Sequence, residues 1–185
     1  PLTDVEIISD IDFAYYVLES RSIKPTYVGV TGTNGKTTVV TGIAHVCQTN
    51  AYGNIGMPLI SAIDSISTGD IVVLELSSYQ LYSTNQLICD VAIILNITPD
   101  HLDWHGSFES YRDAKLSLFS KRVSQTIFYD LNTHSIIHDQ IDEDSTVMII
   151  DELTQYEHPQ FIGGHDRFNL SVIVAVAALF NVQTD

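Results

Sequence analysis

From Val28 to Thr38 the chain reads Val-Gly-Val-Thr-Gly-Thr-Asn-Gly-Lys-Thr-Thr, a run that very few architectures accommodate. The β-branched apolar residues between Tyr27 and Val30 predict a buried strand. A glycine turn follows, and then a helical stripe of Val40, Ile43, Ala44 and Cys47. Strand, loop and helix in that order are the setting a phosphate-binding loop requires. Gly32 and Gly35 lack the Cβ that would block the backbone, so the N–H groups around Thr33 and Asn34 can curl about phosphate oxygens at the positive end of the helix dipole. Lys36 adds a full charge near the outer phosphates, the Thr37 hydroxyl suits Mg²⁺, and Thr38 completes the motif. The usual pattern has glycine five residues before Gly35, where this chain has Val30, so the loop is a variant with Gly32 three before Gly35. A plain glycine turn before an ordinary helix would leave the lysine and two threonines at those offsets unexplained.

A chain of 185 residues, 45% of them hydrophobic, suits one globular domain with a core of its own. Its formal charge of −15 disfavours nucleic acid or an anionic membrane as a partner. With only eight lysines and arginines, each cation matters locally, and an acidic chain that takes up a polyanionic nucleotide needs Mg²⁺ between the two. No apolar run approaches a membrane span, and no basic-then-apolar leader is present, so a cytoplasmic protein is expected. Cys47 and Cys89 are then expected to be buried free thiols.

Residues 1–10 resemble the end of a linker from a preceding domain, and 11–185 form the expected domain. Asp10 is placed to cap a helix through Ser20 with Phe13, Ala14, Val17 and Leu18 inward. Thr49 to Pro58 reads as a loop around Asn54, with little room for the strand such folds carry there; a deletion or missing residues would explain that. Ile71 to Ser78 predicts a second buried strand interrupted by Glu75, which either pairs with a lysine or ligates Mg²⁺ opposite Thr37. Val91 to Asn96 predicts a third, followed by a loop that gathers Asp100, His101, Asp103 and His105. His101 is either a hydrogen-bonded loop residue or a metal ligand. Ser107 is placed to cap a helix running to about Lys121 with Phe108, Tyr111, Leu118 and Phe119 on its apolar stripe. Lys115 interrupts that stripe, so it either snorkels outward or faces the site as an amine able to add carbon dioxide. Later apolar runs, 127–129 and 147–150, predict further strands. A helix from Leu170 to Phe180, apolar almost all round and capped by Asn169, is expected to be buried, with Asp166 and Asn169 near a purine edge. The whole is an α/β three-layer sandwich: a mostly parallel sheet with helices on both faces.

Five motifs in register resemble the Mur ligases: Gly32 to Thr38, Glu75-Leu76-Ser77-Ser78-Tyr79-Gln80-Leu81, Asn96 to Asp103, Tyr111 to Lys115, and Gly164 to Asn169. The resemblance implies that Gly32, Thr33, Asn34, Gly35, Lys36, Thr37 and Thr38 hold ATP, with Asn169 and Asp166 near the nucleotide. The family usually has asparagine where Asp166 stands. Thr37 and Glu75 would bind one Mg²⁺, and His101 with a carbamylated Lys115 a second; Lys36, Lys115 and His101 would be catalytic. Asn54, Ser77 and Gln80 match positions that contact substrate. Gly53-Asn54-Ile55-Gly56 and the Ser-Ser-Tyr-Gln run resemble the branch that adds D-glutamate to UDP-N-acetylmuramoyl-L-alanine through an acyl phosphate. A monomer is implied, with an N-terminal domain for the UDP moiety and a C-terminal one for the amino acid, both outside this chain, so isolated turnover is not expected. Rival readings are another amino-acid or folylpolyglutamate ligase of the same family, and a non-catalytic nucleotide-binding module. A phosphate-loop GTPase is disfavoured because the Asn-Lys-x-Asp guanine signature is missing from the sequence.

Overall fold

The computed structural model describes residues 8–119, 126–130, 133, 136–137, 141, 143–150 and 164–182. Six strands, β1 (Thr26–Thr31), β2 (Ala51–Gly53), β3 (Ile71–Glu75), β4 (Val91–Ile94), β5 (Thr126–Asp130) and β6 (Thr146–Ile150), form one sheet in the order β2-β3-β1-β4-β5-β6. Every neighbouring pair is parallel. Parallel strands need crossovers, and the crossovers cover both faces, which is why the central strands are apolar without alternation. Successive residues nevertheless face opposite layers. Val28, Val30, Val73, Val91 and Ile93 pack against α2 (Lys36–Val46) and α6 (Gly164–Leu179). Tyr27, Val72, Leu74, Ala92 and Ile94 pack towards α1 (Asp10–Ser20), α3 (Ser78–Ser83) and α5 (Phe108–Leu116). The predicted three-layer α/β sandwich is borne out.

Several local expectations are corrected. Ser9, not Asp10, caps α1, accepting from the Asp12 N–H at 2.9 Å, and Asp10 and Asp12 occupy the first turn where the helix dipole favours acids. Its buried row is Ile11, Ala14 and Leu18, spaced i, i+3, i+7, whereas Phe13 is 46% exposed. A strand does exist between α2 and the Gly53-to-Gly56 turn: three residues of β2 pair with β3, Tyr52 opposite Leu74. Three residues carry no readable period, so only pairing reveals them.

The closing helix starts at Gly164, so Asn169 lies inside it rather than capping it. Asn169, Val172, Ile173 and Val176 form its buried face, while Leu179 is 38% exposed; burial is one-sided. That face sits tight on α2, since a Cβ on Gly42 would lie 2.3 Å from Ile173 Cδ1. Ser107 caps α5 as expected, donation coming from the Ser110 N–H at 3.1 Å, and the helix tightens into a 3₁₀ turn at Ser117–Phe119. Lys121 and residues 151–163 lie outside the described residues. Cys89 is buried as expected but Cys47 is half-buried; neither forms a disulfide.

Candidate active site

The loop between β1 and α2 lies at the carboxyl edge of the sheet, where open α/β folds take ligands. Gly35, at the start of α2, has φ +87, a conformation side chains resist, and a Cβ there would strike Asn169 Oδ1 at 2.7 Å. Asn169 of α6 therefore rests directly on the loop. The segment that follows β4 laces the turn from the other side: Asn34 N–H donates to Asn96 Oδ1 at 2.8 Å, and Asn96 Nδ2 donates back to Asn34 O at 3.0 Å. Thr33 Oγ1 donates to Thr98 O at 3.1 Å and accepts from Thr98 N–H at 3.0 Å, with Tyr111 Oη at 2.8 Å. Local sequence assigns no individual site role to Asn96, Thr98 or Tyr111, because these bonds join positions more than sixty residues apart.

Lys36 folds back over the turn, its ammonium donating to Gly32 O at 2.9 Å and Thr33 O at 3.1 Å. Burial lowers its pKa, opposed by the charges of Glu75 and Asp100. Glu75 ends β3 at 2% exposure. Its Oε2 accepts from Thr37 Oγ1 at 2.9 Å and its Oε1 from Asn54 Nδ2 at 2.9 Å. The alternative in which Glu75 pairs with a lysine is not what the geometry shows. A buried carboxylate beside a threonine hydroxyl is a donor set suited to a hard divalent cation, so Thr37 and Glu75 fit Mg²⁺. No group of three His, Cys, Asp or Glu side chains is placed to hold a metal ion by itself among the described residues.

Lys115 does not snorkel. It is 2% exposed, its Nζ donates to the same Gly32 O at 2.8 Å, and it lies 4.8 Å from the centroid of the Tyr111 ring. Burial, then repulsion from Lys36, lowers its pKa to about 7 against the pull of Asp100. An amine with that pKa is substantially neutral and nucleophilic at neutral pH. His101 adopts a left-handed φ of 51, stays exposed, and also adjoins Tyr111, ring centroids 6.4 Å apart. Its Nε2 is 3.6 Å from Asp100 Oδ2, whose partner oxygen Oδ1 accepts the His101 N–H at 2.8 Å.

Ser77 and Gln80 form a reciprocal cap on α3: Gln80 N–H donates to Ser77 Oγ at 3.2 Å, and Ser77 N–H donates to Gln80 Oε1 at 3.1 Å. The Ser-x-x-Gln spacing carries that signal in the sequence. Thr38 lies in the first turn of α2, and Asp166 in the first turn of α6. The loop, Asn54, Glu75, Lys115 and Asn169 are thus joined by direct contacts. Among the described residues, Ser77 and Gln80 bond to each other and not to that group, and Asp166 stands apart from it in the first turn of α6.

A phosphate loop at the edge of a parallel sheet, with a buried carboxylate bonded to its threonine, defines a nucleotide-binding α/β domain. The chain belongs to the Mur ligase family, since the model of the Mur ligase middle domain matches residues 30–155. A UDP-N-acetylmuramoylalanine--D-glutamate ligase of Zymomonas mobilis is 37% identical over 98% of this chain and 44% of its own length. One of the same name from Streptococcus pyogenes serotype M49 is 34% identical over 98% of this chain and 45% of its own. The chain thus spans under half the length of these relatives. Among solved structures, MurF ligase from Thermotoga maritima in complex with ADP aligns at TM-score 0.72 and 16% identity, over all of this chain and 53% of that one. E. coli FolC in complex with DHPP and ADP aligns at TM-score 0.62 and 17% identity, over all of this chain and 60% of that one. At such identities the likeness concerns the fold.

Proposed function

We propose that this chain is the ATP-handling domain of a cytoplasmic, monomeric ligase that adds D-glutamate to UDP-N-acetylmuramoyl-L-alanine for peptidoglycan synthesis. The observation that carries the reading is the convergence of Lys36, Lys115 and the Thr37–Glu75 pair on one glycine loop. The 37% identical relative supports the choice of substrates. Because that relative is more than twice as long as the matched segment, the UDP and amino-acid sites are assigned to other domains.

The loop amides from Gly32 to Thr38 and the Lys36 ammonium hold the triphosphate. The carboxylate of the muramoyl-alanine, oriented by Asn54, Ser77 and Gln80, attacks the γ-phosphorus, and ADP leaves. The amine of D-glutamate then attacks the acyl phosphate carbonyl, and phosphate leaves as the amide forms. Asn169 and Asp166 lie on the nucleotide side. Two Mg²⁺, one at Thr37 and Glu75 and one at His101 and carbamylated Lys115, supply positive charge among the crowded oxygens when bound. The Lys115 amine makes that ligand by forming an N–C bond to carbon dioxide with loss of one proton. A buried nucleophilic amine is also what a purely nucleotide-binding module has no use for.

Calorimetry with ATP and MgCl₂ on the folded chain is expected to show saturable uptake that Lys36→Ala abolishes. A folded chain that takes up no adenine nucleotide refutes the proposal.

A further inference from the structure

The loop after β4 carries the strained turn of the site, and something has to hold it there. α4 (Leu102–His105) is a single helical turn bounded by positive φ at both ends, 51 at His101 and 79 at Gly106. A left-handed histidine is uncommon and persists only where its surroundings over-determine it. Most of α4 gives no such support: Leu102 is 41% and Trp104 50% exposed, and Asp103 is exposed. The exception is His105, at 8% exposure.

Its ring is enclosed by aromatic side chains from three elements. Tyr79 of α3 stacks on it at 5.7 Å between centroids, Trp104 lies edge-on at 4.5 Å, and Tyr111 of α5 at 5.3 Å. Nε2 shares a 3.0 Å hydrogen bond with Ser78 Oγ, one residue after the Ser77 cap. Nδ1 is buried without a partner among the described residues. The His105 N–H donates to His101 O at 3.0 Å, closing the turn. One buried side chain therefore ties the His101 turn to the start of α3 and to Tyr111, whose hydroxyl meets Thr33 in the phosphate loop.

We propose that His105 is a positioning residue, which through its bond to Ser78 and its seat against Tyr111 fixes the His101 turn at the reacting end of the triphosphate. This rests on the ligase reading above. Among the described residues His105 reaches the phosphate loop through Tyr111 rather than by a bond of its own, so its loss acts on the chemical step and not on nucleotide uptake.

The test uses His105→Phe, His105→Gln and Ser78→Ala, both in this chain and in the complete enzyme that carries it. Phe keeps the ring volume without the bond, Gln can reach Ser78 at the Nε2 position, and Ser78→Ala removes the partner while leaving the aromatic packing. Calorimetric affinity for ATP with Mg²⁺ is expected to stay within about threefold for all three, while kcat for amide formation falls about 10- to 100-fold in His105→Phe at little-changed KM for ATP, the scale of a misplacement near 1 Å. His105→Gln is expected to recover most of the loss. Trp104 is the sole tryptophan, so its emission maximum and acrylamide quenching report the turn directly, without catalysis. Both are expected to shift in His105→Phe and Ser78→Ala. An unchanged Trp104 signal in those folded variants, or kcat falling no further in His105→Phe than in His105→Gln, overturns the positioning role. Absence of amide formation by the wild-type enzyme would instead condemn the ligase reading, and the Trp104 result would still decide the role of His105.

Discussion

Lys115→Met is the perturbation that interrogates the site most directly, because its effect on stability has a calculable sign. The Lys115 amine is displaced from 10.5 to about 7, first by burial and then by Lys36. A lysine whose folded pKa lies below its unfolded value costs stability. The penalty is complete below pH 7 and fades as pH rises towards 10.5, since in that interval the unfolded chain binds the extra proton. At 1.36 kcal/mol per unit the full penalty is about 5 kcal/mol, which is a ceiling. Between about pH 7.5 and about pH 9.5 the wild-type chain is therefore expected to gain roughly 2.5 kcal/mol from this position, and Lys115→Met none. The phenols of Tyr15, Tyr27, Tyr111 and Tyr129, all raised by burial, pull the other way towards pH 10, and subtracting the variant removes them. Urea unfolding at both pH values, in metal-free buffer purged of carbon dioxide, measures the difference. Wild type and variant responding to pH within about 0.5 kcal/mol of each other would refute the buried neutral amine, and with it the physical basis for carbamate formation.

Two further outcomes test the scaffold. Gly42→Val is expected to destabilise by about 1–3 kcal/mol, seen as a lower urea midpoint, because Ile173 already occupies the space of a Cβ. Asp12→Ala removes a 2% exposed carboxylate that accepts from the N–H groups of Asn85, Gln86 and Leu87 at 2.6, 2.9 and 3.0 Å. A loss of about 2–3 kcal/mol is expected, with faster amide exchange confined at first to residues 85–87.

What the chain discloses before folding follows the range of each interaction. The phosphate loop is legible because its glycines, lysine and threonines are adjacent and flanked by an apolar run. Glu75 is legible because one carboxylate in an apolar strand is anomalous wherever it pairs. The lacing of Asn34 to Asn96 and Thr33 to Tyr111 is not legible, since neither partner is unusual for its own segment. β2 escapes for a different reason, its three residues being too few to display a repeat. Lys115 sits between: its place on an apolar stripe signals an irregularity, but only the packed structure shows that the amine turns inward to Gly32. Asn169 suits the cap of a helix that begins at Leu170, and that reading fails because the helix starts six residues earlier, at Gly164.

The Gly32 carbonyl accepts from both lysines, at 2.9 and 2.8 Å. An sp² oxygen has two lone pairs, and both accept from lysine nitrogens here. Withdrawal of either donor leaves the whole of that dipole to the other. The two lysines that converge on the phosphate loop thus share one peptide oxygen, and a change at either nitrogen is felt at the other through that single dipole.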